Sequence, residues 1–381
     1  MNLQATVTQA FRERFGESPI FIVRAPGRVN IIGEHTDYND GYVLPMAIER
    51  AVWIALRPRR DGRIIIHSLE YDQTAEFFLA HMQKGKGWAE YVKGAAWAMQ
   101  QEGWALSGWE GVMTGDVPVG AGLSSSSAVT VAALLACAAA SDREPDPIKT
   151  ALLGHRAEDG WIGLHGGIMD QMVSLLARAG HALFLDCRTL EYEHVPLPTG
   201  VAVAVLDTST RRGLVDSAYN ERRSQCDAAA QAFGVRALRD VDEAAFKAGA
   251  AALEEVSRRR ARHVVSENGR VLQAVAAMRS SDALTLGRLL DASHASLRDD
   301  FEVSSTALDQ MVEIACRQPG CYGARLTGAG FAGCAVALVE QACAAEFAGA
   351  VTQEYERTTG MKPAIYLTEA AAGAAIIRLT L

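Results

Sequence analysis

The run AVTVAALLACAAA at 128–140 limits the fold more than any other stretch of this chain. It is apolar almost all round, and a helix of that kind is stable only when buried on every side. It falls short of the ~20 residues that span a bilayer, so it belongs inside a core. With 381 residues the chain has room for a large core and for two or three ordinary domains. The helix is entered from PVGAGLSSSSAV, 118–129. Gly120 and Gly122 allow a tight turn and a close approach to a ligand. Ser124, Ser125 and Ser126 then lead into the helix. Free N–H groups at a helix N-terminus, with hydroxyls beside them, suit a phosphate. The plainer alternative is a serine cap after a glycine turn. The GK[ST] ending of a Walker A loop is missing.

The rest of the chain mixes strands and helices without a regular βαβ period, which points to an α+β fold. The spacing predicts a helix over 4–15 ended by Gly16, and a second over 88–102. Between them lie short β-rich runs: IFIVRA, RVNIIG, YVLPMAI, AVWIALRP and RIIIHSL. GWEGVMTGDVP reads as a further strand. Asp146 and Pro147 open a helix as cap and first turn, and another runs from near Gly167 to Gly180. HVPLPTG, 194–200, marks a domain boundary. Beyond it come a strand, VAVAVLDT, and a long helical region over about 216–298.

The net charge of -8 argues against a general nucleic-acid partner. Seven scattered cysteines without a CxxC pair suit free thiols in a reducing compartment. The N-terminal stretch has no basic-then-apolar secretion signal. The expectation is a cytoplasmic protein without a membrane partner, monomeric or weakly dimeric.

Two more stretches carry chemistry. GRVNIIGEHTDYNDG, 27–41, gathers Glu34, His35, Asp37, Asn39 and Asp40 beside Arg28. A turn needs far less. It is not a calcium loop, because its glycine is at position five and Ile48 stands at position twelve. GARLTGAGFAGCAVALV, 323–339, contains GxGxxG at 328–333, but a strand-like run follows where a dinucleotide fingerprint needs a helix. A glycine loop joining two strands fits better, either purely structural or crowded against the serine loop.

Together, GRVNIIGEHTDYNDGYVLPMAI, GAGLSSS and LTGAGFAGCAVAL, in that order and spacing, resemble the three motifs of the GHMP small-molecule kinases. The GEHTDY core resembles the galactokinase branch. WAEYVKG at 88–94, AEDGWIGLHGGIMDQMVS at 157–174, RRARHVVSEN at 259–268 and SHASLRDDFEVS at 293–304 are similar too. The resemblance runs from about Phe15 to the C-terminus. It implies a two-domain α+β fold: a domain like ribosomal protein S5 domain 2 over 1–195, a ferredoxin-like domain over 196–381, and the active site between them. It implies transfer of the γ-phosphoryl group of ATP to the C1 hydroxyl of galactose, with Mg²⁺.

The resemblance also assigns residues. Arg28 and Asp170 form the catalytic pair; read alone, Asp170 could equally be a helix-capping acid. Glu34, His35, Asp37, Gly167 and Tyr219 bind the sugar. A hydroxyl both donates and accepts, so recognising a hexose takes several short polar groups pointing one way. Trp88, Gly120, Gly122, Leu123, Ser124, Ser125 and Ser126 bind ATP. Ser126 (or Ser125) and Glu158 are the Mg²⁺ ligands. Three features depart from the family pattern: Ala332 replaces a glycine, and Trp161 and His165 are bulkier than usual. His165, five residues before Asp170, raises the question of another sugar, such as N-acetylgalactosamine or arabinose. A non-catalytic sugar sensor would have lost the serine loop or the pair, and both are present.

Overall fold

The computed structural model describes residues 2–211 and 215–379. The apolar run forms the helix Ser125–Ala140, with nearly every residue buried. It is held on one side by a six-stranded sheet and on the other by helices Ala89–Gln101, Pro147–Arg156 and Met169–Leu176. The sheet runs β13 (Ala375–Arg378), β1 (Phe21–Asn30), β3 (Pro45–Arg59), β6 (Gly108–Gly115), β4 (Arg63–Ser68), β5 (Gln73–Phe78). Helix Leu3–Phe15 covers its other face through Val7 and Phe11, and Gly16 ends that helix at φ 75°. Asp146 caps the helix at Pro147 by accepting from the Lys149 N–H at 2.8 Å.

The short β-rich runs merge. IFIVRA and RVNIIG become the single strand β1, which has a bulge between Pro26 and Arg28. A bulge re-aims the side chains that follow, and Arg28 is the first of them. A small sheet of β2 (Tyr42–Val43), β7 (His181–Asp186) and β8 (Tyr192–Pro196) lies beside the end of β3.

The later part of the chain builds a four-stranded antiparallel sheet. Its order is β10 (Cys321–Leu326), β11 (Cys334–Glu340), β9 (Val201–Asp207), β12 (Ala364–Thr368). In chain order that is second, third, first, fourth, the split pattern of a ferredoxin-like fold. Helices Thr306–Arg317 and Ala344–Thr359 cover one face. The helical region expected over 216–298 is broken into Val215–Phe233, Glu255–Arg279 and Ala283–Asp299, with short turns of helix between the first two. The expected helix from Gly167 to Gly180 is shorter, Met169–Leu176.

A division at 195/196 would fall inside β8, and the four-stranded sheet begins only at Val201 in β9; nor does the chain stay on one side of such a division. After β12 it returns, and β13 pairs with β1 antiparallel, Ile377 opposite Ile22. Among the described residues no helix is long and apolar enough to cross a membrane, and all seven cysteines are free thiols.

Candidate active site

Arg28 leaves β1 buried, and its guanidinium meets Asp170 in the first turn of helix Met169–Leu176. Nε donates to Oδ1 at 2.7 Å and Nη2 to Oδ2 at 2.8 Å. This planar two-point contact is the strong form of an ion pair. The third nitrogen, Nη1, donates to the Gly122 carbonyl in the serine loop at 2.5 Å. Ser124 has φ 60°, unusual for a residue with a side chain. It stands at the cap position of helix Ser125–Ala140 yet makes no side-chain capping bond. Its hydroxyl donates to Asp170 Oδ2 instead. The serine loop is thus tied directly to the Arg28–Asp170 pair.

The glycine loop of the four-stranded sheet packs onto the serine loop. It joins β10 to β11 as an antiparallel pair, and its glycines permit the approach. A β-carbon on Gly328 would lie 2.7 Å from the Gly122 carbonyl, and one on Gly333 would lie 2.8 Å from that of Ala121. Ala332 causes no strain, because the positive φ in this loop belongs to Phe331, Gly328, Gly330 and Gly333.

A cavity of about 140 Å³ lies beside the pair, lined by Arg28, Glu34, His35, Asp37, Glu158, Gly167, Asp170 and Tyr219, with Leu164, Gly166, Met169, Gly328 and Ala329. Every residue assigned above to catalysis or sugar binding meets there. A second cavity of about 380 Å³ is lined by Trp88, Ser125 and Ser126, with Tyr71, Tyr91, Val117 and Val129 among others. The Trp88 and Tyr71 rings are parallel within 1°, with centroids 6.2 Å apart. Gly120, Gly122, Leu123 and Ser124, also expected at the nucleotide, line neither cavity; Gly122 and Ser124 are tied to the Arg28–Asp170 pair. Ser126 and Glu158, the two expected cation ligands, line different cavities.

The polar groups differ in how freely they face the sugar-side cavity. Glu34 is held from several directions. Its Oε1 accepts from Gly328 N–H at 2.6 Å and the Thr327 hydroxyl at 3.1 Å and lies 3.1 Å from Arg325 Nη2, while Oε2 accepts from Asn30 Nδ2 at 3.0 Å. His35 Nε2 faces the Ala329 carbonyl at 3.3 Å and so carries the ring proton, leaving Nδ1 to accept from the Tyr38 hydroxyl at 2.8 Å. Burial, then the neighbouring His263, push its pKa down to about 3, so the ring is neutral near pH 7. Asp37 is the freer acid. Burial, then the charge of Asp170, raise its pKa to about 7. Glu158 is likewise raised to about 7, chiefly by burial, and its Oε1 is buried with no partner. Tyr219 packs tilted against His35 and edge-on against Tyr38, with centroids 5.4 and 5.3 Å apart.

The supports of the sugar loop come from distant segments. Arg325 on β10 is fully buried and donates to the carbonyls of Asn30 and Ile31, both at 3.0 Å. Helix Glu255–Arg279 supplies three groups: His263 to the Glu34 carbonyl, Glu267 to the Gly33 N–H, and Asn268 to the Tyr42 N–H. The three from helix Glu255–Arg279 lie in RRARHVVSEN, a stretch that carries the family resemblance and was the signal available for them; Arg325 lies one residue before the third motif. Trp161 and His165 line neither cavity. Trp161 donates to Glu90 Oε2 at 3.0 Å and packs on Trp97. The exposed His165 ring pairs with Asp159 at 2.5 Å. Their bulk leaves the sugar-side cavity untouched.

A split βαβ domain closing a glycine loop onto a serine loop, with an arginine–aspartate pair tied to that loop and lining the smaller cavity, defines a GHMP-type small-molecule kinase. Matches to known proteins agree. The galactokinase galactose-binding signature matches residues 9–58, the GHMP kinase N-terminal domain 90–178 and the GHMP kinase C-terminal domain 274–357. A galactokinase of Roseiflexus sp. (strain RS-1) is 45% identical over 371 residues, 96% of this chain and 95% of that one. The crystal structure of Lactococcus lactis galactokinase complexed with galactose superposes with a TM-score of 0.95 at 34% identity, covering 98% of this chain and 100% of that one. Methanococcus jannaschii mevalonate kinase shares the fold, with a TM-score of 0.65 at 16% identity over 92% of this chain and 98% of that one. The chain belongs to the galactokinase family.

Proposed function

We propose that this enzyme transfers the γ-phosphoryl group of ATP to the C1 hydroxyl of D-galactose, giving galactose 1-phosphate. The observation that carries the reading is the Arg28–Asp170 pair, fastened to the serine loop by Ser124 and Gly122 and open to the smaller cavity. Galactose takes that cavity, with Asp37 accepting from the hydroxyl pair that includes O4. ATP takes the larger one, its adenine against Trp88 and its phosphates on the N–H groups that open helix Ser125–Ala140.

Asp170 accepts the proton of the C1 hydroxyl, and that oxygen forms the new bond to the γ-phosphorus as ADP leaves. A loose phosphoryl transition state asks little of the nucleophile, so positioning and charge neutralisation do most of the work. Arg28 holds the carboxylate in place and balances negative charge between the hydroxyl and the phosphate.

The residues fit a Mg²⁺ ion. Glu158 has a buried carboxylate oxygen without a partner, and this hard cation favours one or two such oxygens, with phosphate oxygens and waters for the rest. Glu158 would hold it, and the charge it would supply there offsets that of the β- and γ-phosphates, while Ser126 lines the other cavity. Every group invoked lies in one chain, so the reading needs no second subunit. Seven free thiols support a cytoplasmic site of action.

The deciding experiment is ATP-dependent phosphorylation screened over galactose, glucose, N-acetylgalactosamine, talose and arabinose, with the position of the phosphate read by NMR. Galactose should be used best and phosphorylated at C1. Equal use of glucose would remove the assigned substrate.

A further inference from the structure

The sugar-side cavity has a wall and a roof from different parts of the chain. The wall is the segment 163–167, GLHGG, between the turn that carries Glu158 and the helix that carries Asp170. Leu164, Gly166 and Gly167 face the cavity. The roof is helix Val215–Phe233, which contributes Tyr219. One turn further along that helix, on the same face, stands Arg223. Its Nη1 donates to the His165 carbonyl at 2.9 Å and to the Gly166 carbonyl at 3.3 Å. Its guanidinium also lies 6.0 Å from the centroid of the Tyr38 ring, which packs against Tyr219.

The preceding residue works in the opposite direction. Arg222 donates to the carbonyls of Phe301 and Glu302, at 2.9 and 3.1 Å, and lies over Phe331. Adjacent arginines therefore fasten the roof helix to two bodies: Arg222 to the part of the chain that carries the glycine loop, and Arg223 to the wall of the first part. Backbone bonds hold the start of the wall, Gly163 and Leu164 N–H both donating to the Glu158 carbonyl at 2.9 and 3.0 Å, and its later half has fewer ties. The wall is glycine-rich, Gly163 stands at φ 90°, and β-carbons on Gly163 and Gly166 would meet nothing within 4 Å. Its other side-chain ties are His155, whose Nε2 lies 3.1 Å from the Gly166 carbonyl, and the exposed pair of its own His165 with Asp159. Such a segment keeps one conformation only while its carbonyls are held.

We propose that Arg223 is a positioning residue for the sugar subsite, a latch that draws segment 163–167 against the helix carrying Tyr219 and so fixes the width of the sugar cavity. The inference rests on the proposed function for the identity of the sugar, and on geometry alone for the latch. Arg223 lines neither cavity and touches no reacting group. Its loss should therefore be felt in how tightly the sugar is held and much less in the chemical step or in ATP binding. Two carbonyls held by one charged donor predict a rise in sugar KM of about tenfold, equivalent to ~1.4 kcal/mol.

The test compares wild type with Arg223→Met, which keeps the stem and loses every donor, and Arg223→Lys, which keeps the charge and can reach one carbonyl. Steady-state kinetics with galactose and ATP are measured for each, together with hydrogen exchange of the sugar-free proteins. The expected result is a rise in galactose KM in the Met variant, partial recovery in the Lys variant, kcat and ATP KM close to wild type, and faster exchange confined to 163–167. An unchanged galactose KM, or a fall in kcat at constant KM, would overturn the latch. If the wild-type enzyme fails to phosphorylate galactose, the substrate reading falls instead. The exchange measurement then decides the latch: unchanged exchange in both variants rejects it, and faster exchange in 163–167 supports it.

Discussion

Asp37 occupies the space that Gly167 leaves empty: a β-carbon on Gly167 would lie 2.2 Å from Asp37 Oδ2 and 2.3 Å from its Cγ. The acid of the sugar loop and the segment leading to Asp170 thus touch through a missing side chain. Gly167→Ala should push the Asp37 carboxylate out of place while the distant cores stay packed. We expect kcat/KM for galactose to fall by at least about tenfold, the scale of one misplaced buried polar group. The melting temperature should move little. Kinetics and a thermal melt check this, and wild-type kinetics in the alanine variant would show that Asp37 has no role in binding.

Asp170→Asn is nearly isosteric and keeps the helix in place, but it removes the charge that faces Arg28 and the ability to take a proton. Turnover should drop by at least about 10²-fold, the usual range for losing a positioned acid or base. ATP binding, followed by titration calorimetry, should be nearly intact. A folded variant with near-normal turnover would remove Asp170 from the mechanism.

Asp37 also sets a pH dependence. Its folded pKa lies near 7, above the ordinary aspartate value, because burial and the Asp170 charge oppose ionisation. The free enzyme therefore holds a protonated Asp37 below that pH. If the carboxylate is the acceptor for the sugar, kcat/KM for galactose should decline as pH drops through about 7 and level off above it. Asp37→Asn should lose this limb of the profile and keep only a low, flatter activity. A wild-type profile level between pH 6 and pH 8, the interval spanning the expected transition, would contradict the assignment.

Asp37 should choose the sugar as well. Glucose turns O4 equatorial, leaving an acceptor without a donor. A site that depends on buried hydroxyl bonds should favour galactose over glucose by more than about 10²-fold in kcat/KM. Asp37→Ala should damage galactose use severely and narrow that ratio. ATP affinity should hardly change, since the serine loop is a separate segment. A ratio unaltered by the substitution would place discrimination elsewhere in the cavity.

On the nucleotide side, Trp88 lines the larger cavity and lies parallel to Tyr71. Stacking a base on an aromatic ring contributes about 1–3 kcal/mol. Trp88→Ala should raise the KM for ATP by roughly tenfold with the galactose KM nearly constant. Substituting Tyr71 alone should have a smaller effect, because that residue is exposed. If the ATP KM stays put in the Trp88 variant, the adenine lies elsewhere.

Local signals in the sequence are legible. The Gly16 stop, the Asp146 cap with Pro147, the buried helix after the serine loop and the glycine loop between two strands all depend on a few adjacent residues, and the structure has each of them. The fusion of IFIVRA with RVNIIG across Pro26 was not legible, because a bulge is a matter of pairing between strands. Nor did periodicity show where the helical region of 216–298 breaks. The site divides in the same way. Motif residues gathered where expected, yet the arginines that hold them, Arg223 and Arg325, act across hundreds of positions or between bodies, and spacing carries no trace of such contacts. The resemblance assigned His35 to sugar binding; it lines the smaller cavity, and its two nitrogens face Tyr38 and Ala329, contacts that the sequence did not show.

The return of β13 to β1 has a consequence for biosynthesis. A ribosome delivers β1 early and β13 only after the whole four-stranded sheet has been made. Through that interval the outer edge of β1 has no neighbour, and an unpaired strand edge is a template for pairing with other chains. The first sheet is completed only after the four-stranded sheet has been made, however quickly its other strands assemble. Until residues 375–378 are made, that edge of β1 stays open to pairing with other chains.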